Sequence, residues 1–150
     1  MSAEGYERDK SGSTSQATLF AIEAQLMGGM GIKGIYTPFH GEVSSADASL
    51  GVEFGLYPGG SVAAHTLLAT EYVLISDVIV AVTNAGKAGV YAAADSAGRR
   101  VAVHPAVPAN GGFAQHMHPG HLCPVGVIPK LIAVAGAVNG VIHGFIITPA

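Results

Sequence analysis

The chain has a single cysteine, Cys123, and no tryptophan, and only 11% of its 150 residues are charged. One cysteine excludes an internal disulfide framework and fits a chain made in a reducing compartment. The charged fraction falls well below the roughly 25% usual for soluble domains. Hydrophobic residues make up 49%, so much of the surface is expected to be buried against other chains. The net charge of −3 leaves no basic footprint for nucleic acid. Arg99 and Arg100 are adjacent but read as a solvated turn. No run of about 20 uninterrupted apolar residues is present to cross a bilayer as a helix. The longest candidate, Val125 to Thr148, is broken by Pro129, Lys130 and Asn139. The opening, MSAEGYERDKSGSTSQ, is polar where a secretory segment would be apolar. Neither nucleic acid nor membrane is therefore expected as a partner.

Catalytic signatures are equally scarce. GxSxG, the Walker loop and GxGxxG before a helix are all missing. GGMGIKG at 28–34 contains a lysine but lacks Walker spacing, and reads as a hinge. No Asp or Glu occurs from Ser96 to Ala150.

What the chain does have is glycine, 21 copies, and apolar stretches of strand length. Residues 1–16 are polar and read as a flexible arm, because such a segment buries too little apolar area to offset its ordering entropy. On a partner the arm could become an ordered strap. Leu19, Ile22 and Leu26 follow at helical spacing, with Ser15 as a cap and Gly28–Gly29 as a stop. One short helix is predicted near 17–27, and residues 17–150 are read as a single β domain.

From Gly31 onward the pattern is β. GIKGIYTPF suggests a short strand stopped by Pro38. GVEFGLY alternates Val52, Phe54 and Leu56 against Glu53, Gly55 and Tyr57, the period of one half-buried strand. TEYVLISDVIVAV suggests a central strand covered on both sides. Tyr72, Leu74, Ser76, Val78 and Val80 are expected on one of its faces. Val73, Ile75, Asp77, Ile79 and Ala81 are expected on the other. Asp77 should there find a cation, a partner or a sheet edge. KLIAVAGAVNGVIHGFIIT reads as a hairpin, with strands 131–135 and 141–148 flanking a loop that ends in Asn139–Gly140. Roughly eight to ten short strands result. With no helix–strand alternation, the fold class is mainly β, an antiparallel jelly roll or β-sandwich with an N-terminal arm and one short helix.

NGGFAQHMHPGHLCPVG, residues 110–126, holds three of the seven histidines and the cysteine. On a strand, His116 and His118 share a face. His121 and Cys123 come just after Pro119–Gly120. Imidazoles and a thiolate would suit zinc, so these four residues form a candidate divalent-metal set. The simpler reading is loop histidines at a strand end beside a small buried cysteine; a further one is histidines gathered at an inter-subunit axis. GGFAQHMHPGH resembles part of the first cupin motif, with a glycine, an intervening run and His-x-His. Cupins are metal-binding β-barrels, many of them dioxygenases, isomerases or epimerases. The resemblance implies a small metal-binding enzyme using His116, His118 and His121. The cupin motif continues to a glutamate, whereas here Pro119, Gly120, His121, Leu122 and Cys123 follow.

A broader resemblance spans Tyr72 to Thr148. A long apolar strand, EYVLISDVIVAV, leads into glycine-turned strands and a final GVIHGFII. This is similar to the jelly-roll module of tailed-phage cement or decoration proteins. The resemblance implies a homotrimer on the surface of the virion capsid, made in the host cytoplasm, that clamps neighbouring copies of the major capsid protein. It implies no catalysis and no cofactor. Leu19, Ile22 and Leu26, with the arm, would then face the capsid.

Overall fold

The computed structural model describes residues 31–92, 101, 106–134 and 137–150. The arm expected over 1–16, and the helix expected near 17–27 with Leu19, Ile22 and Leu26, lie outside the described residues. Within them the protein is mainly β, with nine strands and no helix. The strands are β1 (Gly34–Ser45), β2 (Val52–Glu53), β3 (Gly55–Pro58), β4 (Tyr72–Val82), β5 (Gly86–Tyr91), β6 (Ala106–Val107), β7 (Gly112–Leu122), β8 (Lys130–Ala133) and β9 (Val138–Pro149). One sheet has the order β3-β1-β9-β4-β7 and the other β2-β8-β5-β6. Every pairing is antiparallel.

The core draws on both sheets. Phe39, Val73, Val78, Val80, Ile142 and Ile146 come from the first, and Ala88, Val90, Leu131 and Ala133 from the second. Burying a Val, Leu or Ile side chain contributes roughly 1.5–3 kcal/mol, so these alternating positions define which face of each strand turns inward.

Four expectations change. First, the strand expected to stop at Pro38 continues to Ser45. The ladder between β1 and β3 ends at Phe39↔Pro58. Pro38 O accepts from Gly59 N–H at 3.0 Å, so its backbone polar groups point toward β3, past the end of that ladder. Proline has no N–H to contribute there, and none is needed.

Second, GVEFGLY forms two strands. Val52–Glu53 pairs with β8, while Gly55–Pro58 pairs with β1 in the other sheet. The chain crosses between sheets at the buried Phe54, whose N–H donates to Pro129 O at 3.1 Å. The alternation was legible, but both halves face one core from different sheets.

Third, the two faces of β4 exchange midway. The strand is central, flanked by β9 and β7. A register shift falls between Ile75 and Asp77, where Ser76 and Asp77 together oppose His143. Such a bulge resets the alternation. Val73 and Ile75 are buried before it, and Val78, Val80 and Val82 after it. The outer face is open at Ile79 and Ala81, so β4 is not covered throughout on both sides.

Fourth, the C-terminal hairpin does not form. β8 and β9 lie in different sheets, and Asn139–Gly140 sits inside β9. A Cβ at Gly140 would lie 2.8 Å from Leu131 Cδ2 and 3.1 Å from Phe54 Cζ. The glycine is there for close packing across the core, not for a turn. Gly144 is tighter still: a Cβ would run into the carbonyl oxygen of Leu74 on β4.

Glu71 is the buried charged residue of this body. Its Oε1 accepts from Leu68 N–H at 2.8 Å and from His65 Nε2 at 2.9 Å. Its Oε2 accepts from the Thr148 hydroxyl at 2.9 Å. The carboxylate thus ties the 61–70 connection to the end of β9. Burial pushes its pKa up, but the bonds from Leu68, His65 and Thr148 outweigh burial and hold it below the ordinary value.

A lowered carboxylate pKa adds stability above the unfolded-state value, and that stability is lost as pH falls through the folded value. Glu71→Gln is therefore expected to cost about 1–3 kcal/mol near neutrality. The gap from the parent protein should close in acid, as read by urea unfolding at several pH values. A gap that does not depend on pH would remove the carboxylate's role. Gly144→Ala should cost at least about 1–3 kcal/mol through overpacking, and wild-type stability in the same assay would refute the close approach.

Candidate functional site

One polar row crosses the outer face of the five-stranded sheet. Tyr57 on β3 pairs with His40 on β1, and His40 with His143 on β9. His143 opposes Asp77 on β4, and Asp77 opposes His116 on β7. Neighbours along the strands turn inward, including Phe39, Ile142 and Val78. The row therefore faces away from the core. The bulge puts Asp77 in it.

Two contacts join carboxylates to imidazoles. His116 Nδ1–H donates to Asp77 Oδ1 at 2.6 Å. His40 Nε2–H donates to Glu42 Oε2 at 3.1 Å, since an ionised carboxylate only accepts. A neutral His40 with its proton on Nε2 has a lone pair on Nδ1. That nitrogen lies 3.0 Å from His143 Nε2, so His143 is the donor when both rings are neutral. The two rings are tilted by 49° with centroids 5.1 Å apart. Ser76 Oγ donates to His143 O at 3.1 Å and binds the bulge to β9. Beside the row, an open concavity of about 570 Å³ is lined by His40, Glu42, Tyr57, Gly60, Ser61 and Val62.

Asp77 thus pairs with a histidine of the neighbouring strand, and it lies on a central strand and not at a sheet edge. The pair is exposed, at 69% for the His116 side chain and 39% for Asp77. Water weakens such a contact, so it contributes at most about 1 kcal/mol.

The motif histidines are not gathered around Cys123. His116 and His118 are both exposed, with Met117 between them packed against the core. The strand does not end at Pro119–Gly120 but runs on to Leu122. His121 pairs with Ile75, beyond the irregular stretch of the β4–β7 ladder. Cys123 is 1% exposed and lies in the hydrophobic core. Burial pushes its thiol pKa up to about 12, which disfavours the thiolate needed for attack or metal ligation. Among the described residues, no group of three or more His, Cys, Asp or Glu side chains is arranged to hold a metal ion.

Sequence reasoning missed His40, Glu42 and His143 as a unit. His40 and His143 are 103 positions apart, and no local spacing links them. The one available signal was parity: His40 and Glu42 alternate with Phe39 and Gly41, which marks them as outward residues on one strand.

No protein-family model matches the chain, and neither a curated protein nor a solved structure matches it. Among the described residues, no helix is long and apolar enough to cross a membrane.

The buried thiol makes a direct prediction. Cys123 should react with a thiol-specific aromatic disulfide reagent only slowly in the native protein and rapidly in urea. Fast native labelling would place Cys123 outside the core.

Proposed function

We propose that the protein is a viral structural protein, a cement or decoration protein that stabilises the major capsid shell as a homotrimer with a jelly-roll body. The strand order carries this reading. With β3 set aside as an added edge, the sheets run β1-β9-β4-β7 and β2-β8-β5-β6. The first and last strands are neighbours and the chain passes repeatedly between the sheets, as in the two Greek keys of a jelly roll. Fold alone does not select a function, so surface and interior must be weighed. Ligand sites are concave, and the concavity beside His40 and Glu42 lies on the outer face of the sheet, not between the sheets. The space between the sheets is filled by side chains such as Leu56, Ile75, Leu131 and Ile142. The surface is poor in charge and carries nearly bare apolar side chains, Leu50 at 92% and Val62 at 98% exposure. The low charge favours a protein that works by association.

In this reading the jelly roll is the trimer body. The arm and the segment with Leu19, Ile22 and Leu26 face the major capsid protein on the virion surface. Each contact buries apolar area at roughly 25 cal/mol per Å² before association costs are deducted. Attachment at several points multiplies weak single contacts.

The alternative is a small cupin-like metal-binding enzyme that uses His116, His118 and His121, with a divalent metal such as zinc as cofactor. One observation favours it. Asp77 supplies from β4 a carboxylate that the region after Ser96 lacks.

Native mass spectrometry should give three copies of the 15.1 kDa chain. This reading expects a major capsid gene beside the encoding gene; the trimer should co-sediment with shells of that capsid protein, and Leu19→Asp with Leu26→Asp should abolish co-sedimentation while leaving the trimer intact. A monomer, or a trimer that ignores the shells, would reject the cement reading. A stoichiometric metal lost on substituting His116 or His118 would favour the enzyme.

A further inference from the structure

We propose that His40 and His143 form a surface chelate for a first-row divalent metal of the zinc or nickel type, with Glu42 as the orienting residue. The site is separate from the His116–His121 stretch and does not depend on a capsid role. His40 Nδ1 and His143 Nε2 already stand 3.0 Å apart on adjacent strands in direct register. With metal–nitrogen bonds of about 2.0–2.1 Å, that separation corresponds to a ligand–metal–ligand angle of roughly 91–97°. A few tenths of an ångström of opening would make the angle tetrahedral.

The protonation pattern suits binding. Glu42 accepts the Nε2 proton of His40 at 3.1 Å, which leaves the Nδ1 lone pair facing His143. A carboxylate holding the far N–H of a ligating imidazole is the usual support of such sites. His143 need only move its proton from Nε2 to Nδ1 to present a second lone pair, a tautomer change with no net loss of charge. β1 and β9 pair along twelve registered positions, so both ligands sit on a ladder that holds their spacing. Entry is open. The His40 side chain is 44% exposed and His143 beside it is half-buried, so solvent reaches the pair on the outer face of the sheet. Two imidazoles with water select zinc, nickel or copper, and not magnesium, which prefers oxygen ligands.

The test is calorimetric titration of the full chain with zinc chloride, with magnesium chloride as the control. One zinc per chain is expected, with no magnesium uptake. His40→Ala and His143→Ala should each weaken zinc binding at least tenfold, and His118→Ala should leave it unchanged. Glu42→Gln keeps both ligands and should weaken binding about 10-fold or more by loosening the tautomer. If either alanine variant fails to fold by circular dichroism, the imidazole resonances of the unaltered protein decide. On zinc addition the His40 and His143 signals should shift together. No uptake, uptake that survives the His40 and His143 substitutions, or shifts confined to other histidines would overturn the proposal. Loss of zinc only on substituting His116 or His118 would also overturn it, and would favour the cupin-like enzyme.

Discussion

The extra residue in β4 opposite His143 constrains both faces of the five-stranded sheet at once. Without the bulge, the alternation that buries Val73 and Ile75 would turn Val78, Val80 and Val82 outward. Three valines would then lose roughly 1.5–3 kcal/mol each, and Asp77 would face the core with no cation to meet it. With the bulge, the aliphatic residues stay inside and the carboxylate emerges beside His116. Ser76, which takes up the extra length, binds the carbonyl of His143. The adjacent Gly144 lets the β4 backbone approach β9 more closely than any side chain would allow. Core packing and the polar row therefore rest on the same local irregularity.

The outer surface gains its chemistry from the ladder. The row runs from Tyr57 through His40, His143 and Asp77 to His116, one residue from each of five strands. No two of these residues are sequence neighbours. Antiparallel pairing puts them side by side, the two-residue period turns the others to one face, and the bulge in β4 brings Asp77 into line with them. The charge-poor composition sharpens the effect. In a chain with 11% charged residues, the row gathers three imidazoles and a carboxylate on one face.

Much of the β reading was legible from short-range pattern. The alternation in GVEFGLY and the apolar density of EYVLISDVIVAV correctly marked strand residues. Turn chemistry misled where glycine served packing instead. Asn139–Gly140 has the composition of a hairpin turn, yet Gly140 makes space for Leu131 and Phe54 across the core. Pro38 looked like a strand end, yet it falls where the neighbouring strand has already stopped. The histidine stretch drew attention because its residues are close in sequence. Strand geometry kept His116 and His118 on one exposed face, as their spacing predicts, and put Cys123 in the core.

By itself, the sequence determined that the chain builds antiparallel strands and has little charge to spend on its surface, because period and composition are local properties of the chain. It also determined that Cys123 has no partner for an internal disulfide. Only the tertiary structure decided which strands are neighbours, where β4 changes phase, and that His40 meets His143 across 103 positions. Those outcomes follow from pairing register and from close approach across the core. Both are set by side chains far apart in the chain, so no window along the sequence contains them.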